Sequence, residues 1–152
     1  MLAAMAILLN VVEGLVIPPV VYGIRFGVAN IIALITIELL DIKSMITVNT
    51  LRVLLGALIR GSIFQPAFFI SASGVILSTI AIIILHKLKS SIIFKSIVSA
   101  ILHSTGQILA VIFLYKQVSM VTVLLMLVLT SVITGFLTGY ISSLILKRIK
   151  LR

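Results

Sequence analysis

The sequence predicts an all-α fold, an integral membrane bundle of six transmembrane helices, and three observations carry that expectation. Apolar residues make up 62% of the 152-residue chain and charged residues only 10%. A water-soluble domain averages about 45–50% apolar and about 25% charged, so lipid must cover what a soluble fold of this size could not hide. The mean hydropathy is +1.42. Most of the 12 Lys and Arg residues stand at the ends of apolar runs, where basic side chains anchor helices to headgroups. The length allows one domain, residues 1–152.

A spanning helix needs about 20 apolar residues, and six candidates follow in order. Helix 1 is Leu2 to Ile17, closed by Pro18-Pro19, which removes backbone donors. It lacks the basic leader of a signal peptide, so it is expected to be retained. Helix 2 runs from Phe26 to Leu40, with Asp41 and Lys43 marking its end. Helix 3 runs from Met45 to Leu58 and is followed by Arg60-Gly61. Helix 4 covers Pro66 to Leu85, helix 5 Ile92 to Leu114, and helix 6 Val118 to Leu146. The first three are short for a full span, which a locally thinned bilayer would accommodate.

Orientation follows from the basic residues. With six spans, the 2–3 loop, the 4–5 loop and the C-terminus share one side. That side holds Lys43, Lys87, Lys89, Lys95, Lys147, Arg148, Lys150 and Arg152. The other side holds Arg25, Arg60 and Lys116. The bias predicts a multi-pass cell-membrane protein with both termini cytoplasmic.

Polar groups in a bilayer turn away from lipid, and residues three or four apart share a helical face. Helix 1 carries Ala3, Ala6, Asn10 and Glu13 at that spacing. Helix 3 carries Asn49, Arg52, Gly56 and Arg60. Helix 4 carries Ser71, Gly74, Ser78 and Ala81, and helix 5 carries Ser96, Ser99, His103 and Gln107. Helix 6 carries Ser131, Gly135, Gly139 and Ser143. Two readings compete for these stripes. Small residues let helices approach and bond across an interface, which suits Gly135, Gly139 and the Ser71 stripe. Large polar groups need partners, which suits a pocket formed by Glu13, Asn30, Arg52, His103 and Gln107, with Ser71 and Gly74 at the same depth. Given cytoplasmic termini, this set leans to the external side. Glu13 either pairs with Arg52, Arg60 or His103, or receives a cation or a ligand amine. His103 is either a hydrogen-bonded structural residue or a ligand contact. The outer-half arginines suggest an anionic small molecule, which Arg grips bidentately.

Several function classes are excluded or disfavoured. The net charge of +9 is distributed over helix ends, so no basic module for nucleic acid exists. There is no cysteine and no second His within reach of His103 by spacing, so no metal site is expected. No P-loop is present, so ATP cannot be used directly. The nucleophile elbow and the HExxH motif are also missing. Only Glu13, Glu38 and Asp41 are acidic, too few for Mg²⁺-diphosphate chemistry. Glu38 and Asp41 read as a helix end. The chain is expected to be neither an enzyme nor a cofactor binder.

Five stretches together resemble a known family: Ala6-Ile-Leu-Leu-Asn-Val-Val-Glu13, Gly23-Ile-Arg-Phe-Gly-Val-Ala-Asn30, Leu51-Arg52-Val-Leu-Leu-Gly56-Ala-Leu58, Phe69-Ile-Ser-Ala-Ser-Gly74 and His103-Ser-Thr-Gly-Gln107. Ile133-Thr-Gly135 and Thr138-Gly-Tyr140 extend the likeness over nearly the whole chain. It resembles the Gx transporter family, also called heptaprenyl diphosphate synthase component I, which is similar to the S components of energy-coupling-factor (ECF) transporters. The resemblance implies six helices, cytoplasmic termini and an outward-facing pocket. It also implies a transmembrane coupling subunit and ATPase subunits as partners. Glu13, Asn30, Arg52, His103 and Gln107 fall on the family's recurrent polar positions. S components often dock through an Ala-x-x-x-Ala face on helix 1. Here Ala3, Ala4 and Ala6 form no such motif, so docking is expected to be lost, shifted or carried by the Ser131-Gly135-Gly139 face. The family is often linked with isoprenoid-quinone and flavin-linked extracellular redox metabolism, which implies an accessory role as the alternative to import.

Overall fold

The structure, a computed structural model, describes residues 1–16 and 30–150. The Pro18-Pro19 stop, Arg25 and the Phe26 start of helix 2 lie outside the described residues. Six α-helices follow in order: α1 (Leu2–Val16), α2 (Asn30–Leu39), α3 (Ile42–Ile59), α4 (Pro66–Lys87), α5 (Ile92–Tyr115) and α6 (Val121–Lys150). A single 3₁₀ turn, Val118–Met120, precedes α6. The sequence placed this segment at the start of helix 6.

Four of these helices, α3 to α6, are long and apolar enough to cross a membrane. At about 1.5 Å per residue, the 15 residues of α1 and the 10 described residues of α2 fall short of a full span. The outer surface is Ile, Leu, Val and Phe, notably along α6, where Leu125, Leu129, Ile133 and Leu137 are exposed.

Helix ends follow local chemistry. Asp41 lies beyond the end of α2 and caps α3. It has extended backbone, and its side chain accepts a hydrogen bond from the Ser44 backbone N–H at 2.6 Å. The polar Lys43 and Ser44 therefore belong to the first turn of α3, three residues earlier than Met45. α3 ends in a Schellman turn, with Ser62 N–H bonded to Ala57 O and Gly61 N–H to Leu58 O. Gly61 takes φ +63° there, a left-handed conformation that only glycine adopts without strain. α4 opens on Pro66, where the missing N–H costs nothing.

The termini meet at one end. Leu2 and Ala3 of α1, Leu39 of α2, Val48 of α3, Ile92 of α5 and Leu146 of α6 gather around Ala6, Ile31, Ile32 and Ile35. Both ends of the described chain thus lie on the same side as the 40–41 and 88–91 loops. The opposite end is closed by Ile70, Ile108, Val111 and Leu127. α2 runs through the middle, and every residue from Asn30 to Ile37 is buried. A helix that is apolar all round belongs in such a position.

The α4–α5–α6 side is packed backbone to backbone. A Cβ added at Gly106 would stand 2.7 Å from Ser73 O, and one at Gly135 would stand 2.8 Å from Ile97 Cα. Gly139 lies equally close to α5, against Ser96 and Ile93. Hydroxyl pairs reinforce the seam: Ser104 with Ser131 at 2.6 Å and Ser96 with Thr138 at 2.8 Å. The Ser131-Gly135-Gly139 face is thereby covered by α5 and is not an open docking surface. The buried stripe of α6 continues through Ser142 and not Ser143. Steps of four residues advance 400° and drift around the helix, so a step of three restores the phase.

Candidate functional site: a buried arginine between three helices

The inward stripes place the polar residues inside the protein. Asn10, Glu13, Asn30, Arg52, Ser71, His103 and Gln107 are all buried. They fall into two groups of contacts.

The first group joins α1, α2 and α3. Arg52 is the largest fully buried side chain, at 1% exposure. Its Nη2 donates to Asn30 Oδ1 at 3.1 Å, and the Glu13 carboxylate acts on it electrostatically. Arg52 Nε has no hydrogen-bond partner among the described residues. Two turns further on, Arg60 Nη1 donates to Asn10 Oδ1 at 2.6 Å. Gly56 stands between the two arginines, and a Cβ there would come within 2.6 Å of Asn10 Oδ1. Arg52, Gly56 and Arg60 thus form a ladder against Asn10 and Glu13 of α1. Asn49 leaves this ladder. Its amide turns to α4 and donates to Thr79 Oγ1 at 2.8 Å.

The second group joins α4 and α5. Gly74 is tight against Gln107 Cγ and His103, whose Cε1 would stand 3.0 Å from a Cβ at Gly74. Ser73 donates to Gly106 O at 2.8 Å. Ser71 is buried on the same face. Gly74 therefore makes room for His103 and Gln107, which combines the packing and pocket readings at one position. Ala6 lies in the apolar core with Ala3 packed beside it, a packing role within the protein.

A third polar cluster went unread in the sequence. At the lysine-rich end, Lys95 donates to Glu38, while His86 Nδ1 lies 3.4 Å from both Glu38 Oε1 and Lys95 Nζ. Lys95 is buried although it stands in the first turn of α5. One signal was available: Lys95 precedes Ser99 by four residues and His103 by eight, in phase with the buried stripe. Its partners lie on other helices, which no spacing reveals. Glu38, His86, Lys87, Lys89, Ser90 and Lys95 line a cavity of about 500 Å³. Among the described residues no three His, Asp or Glu side chains gather as metal ligands would.

The Arg52 group is suited to recognition. A guanidinium holds five donors in a fixed fork, and a buried charge demands compensation. Here Asn30 and Glu13 supply part of that demand, and Nε has no hydrogen-bond partner among the described residues. Carboxylate and phosphate fit this fork.

No curated protein and no solved structure matches the chain. A family model, heptaprenyl diphosphate synthase component I, matches residues 2–145. That span takes in every buried polar residue described above, and the chain belongs to the heptaprenyl diphosphate synthase component I family.

Proposed function

We propose that the protein is a non-catalytic membrane subunit that captures a small anionic ligand around Arg52, in the manner of an ECF S component. The observation that carries this reading is the fully buried Arg52, held by Asn30 beside Glu13, whose Nε has no hydrogen-bond partner among the described residues. Burying an ionised group is costly, and an arginine serving only as glue would spend its donors on the protein. The ligand's carboxylate or phosphate accepts from Arg52, and Glu13 limits the net charge of the site. His103 and Gln107, buried on α5, belong to the same set of inward polar residues in this reading. In this reading energy coupling comes from partner subunits, a transmembrane coupling protein and ATPases, with both termini on the cytoplasmic side; the lack of a P-loop in the sequence supports it.

The test is mass spectrometry of the purified protein under native conditions, with affinity capture of bound subunits. A retained anionic small molecule is expected, together with ATPase subunits. Arg52→Gln is expected to lower ligand occupancy at least about tenfold, the equivalent of one charge-assisted hydrogen bond. A protein that carries neither ligand nor ATPase would refute this reading.

A second reading rests on the family match itself, whose description names one component of a larger synthase. In that reading the chain is an accessory subunit of polyprenyl diphosphate or quinone metabolism. Co-purification of a soluble synthase subunit, with product formation raised on adding the membrane chain, would favour it over import.

A further inference from the structure

The cavity of about 500 Å³ at the lysine-rich end has a neutralised floor and a charged rim. Lys95, at the floor, is 3% exposed and donates to Glu38, and His86 Nδ1 stands 3.4 Å from both partners. Lysine and carboxylate cancel there. Lys87 and Lys89 also line the cavity, and both are exposed. Neither forms an ion pair among the described residues. Glu38, the one carboxylate among the described lining residues, is taken by Lys95. Two accessible positive charges therefore stand at one opening with no acid to answer them. The positive end of α5 adds to the same field, since that helix starts from Ser91, next to Ser90 of the lining.

The backbone holds one of these cations in an unusual place. α4 closes in the same turn as α3: Ser90 N–H bonds to Leu85 O at 3.1 Å, and Lys89 N–H to His86 O at 3.0 Å. After α3 the left-handed residue of that turn is Gly61, and after α4 it is Lys89, at φ +53°. Glycine adopts this conformation freely, whereas a Cβ strains it. A strained residue that also lines a cavity is a mark of a ligand site, and here the strained residue supplies a charge.

We propose that this cavity binds a phosphate monoester, with Lys87 and Lys89 as its two cationic arms and the Ser90 hydroxyl as a further donor. At neutral pH such a group carries about 1.5 to 2 negative charges, which matches the two unanswered lysines. A carboxylate or a phosphodiester brings only one. Lysine binds phosphate as a point charge on a flexible stem, so arms at an open rim can close on it. The phosphate belongs either to a lipid headgroup or to a water-borne ester, and both present the same dianion. Leu88, 68% exposed between the two lysines, offers contact to a hydrocarbon chain. The site shares no residue with the Arg52 group and does not depend on the reading given to it.

The experiment is native mass spectrometry of the full chain released from phosphatidylcholine nanodiscs. The nanodiscs carry either phosphatidic acid, a lipid phosphate monoester, or phosphatidylglycerol, a monoanionic diester with the same acyl chains. Phosphatidic acid is expected to be retained at least about tenfold more than phosphatidylglycerol, as a second charge-assisted contact implies. Lys89→Gly removes the cation and relieves the turn, so it should lower that retention at least about fivefold without lowering thermal stability. Lys87→Gln should lower it to a similar extent. Lys147→Gln, which removes an exposed lysine at the same end but outside the cavity, and Arg52→Gln should leave it unchanged. Glycerol 3-phosphate added to the buffer separates the two sources. Displacement of the bound phosphatidic acid supports a site filled from water, and retention against it supports a site for a lipid headgroup. Equal retention of phosphatidic acid and phosphatidylglycerol would overturn the proposal. A loss in Lys147→Gln as large as in Lys89→Gly would overturn it too, since any basic headgroup anchor would then serve.

Discussion

The two seams of α4 differ in one ingredient. Toward α5, Gly74 and Gly106 bring backbone against backbone, and Ser73 bonds directly to a carbonyl of the neighbouring helix. Toward α3, the facing residues are Ile46, Val53 and Leu54 against Val75, Ile76 and Ile80, and a cavity remains. Apolar character is similar on both sides, so it cannot be what decides. Lipid is as apolar as leucine, and helices in it associate through close packing and hydrogen bonds. Small residues close a seam; branched ones leave space.

The strongest way to break this comparison is to remove the close approach. Gly106→Val should destabilise the protein by about 3 kcal/mol or more, because the new side chain meets the Ser73 carbonyl and the Gly74 Cα. Unfolding in mixed micelles measures this, and a loss below about 1 kcal/mol would show that the seam can relax. Glu38→Gln comes next. It leaves Lys95 buried without its counter-charge, a change that typically costs about 3–5 kcal/mol for a fully buried pair. Glu38 is partly exposed, so the lower end is expected. Glu38→Gln combined with Lys95→Met should recover most of the loss, since the pair together is close to neutral in value. On the open seam, Ala72→Leu should change stability by less than about 1 kcal/mol, because the added methyls enter existing space. A large loss there would mean the cavity is not free to be filled.

The smallest effect concerns the start of α3. Hydrogen bonds from Ser44, first the side chain and then the backbone, hold the Asp41 carboxyl below its usual pKa. Its contribution is therefore complete above the ordinary aspartate value and is lost as the pH falls through the lower folded value. Asp41→Asn should remove this acid-dependent step from the unfolding profile while retaining a cap, since Asn also serves at that position.

Much of this architecture was legible from residue spacing. The starts expected at Pro66 and Ile92 are those of α4 and α5, where a proline and, in the structure, a capping Ser91 act locally. The inward faces of α1, α3, α4 and α5 followed from the cost of exposing Asn, Arg and Gln to lipid. The start of α3 was misread because Asp41, Lys43 and Ser44 look like a loop, whereas a first turn tolerates polar residues at the headgroup level. Ser143 was taken for Ser142 because a fixed four-residue step drifts over a 30-residue helix. At the candidate site the residues were visible but their pairings were not. Arg52 meets Asn30, and Arg60 meets Asn10, across 22 and 50 residues of chain. Lys95 and Glu38 are separated by 57, so only packing could reveal that they share a charge.

The enclosure of α2 has a consequence for mutational scanning. Its buried run from Asn30 to Ile37 presents no outward side, so saturation mutagenesis should find each of those eight positions restrictive. α6, with one covered stripe at Ser131, Gly135, Gly139 and Ser142, should show tolerance that rises and falls once per helical turn. Among the described residues, the shortest helix would then be the least forgiving stretch, and the longest the most permissive.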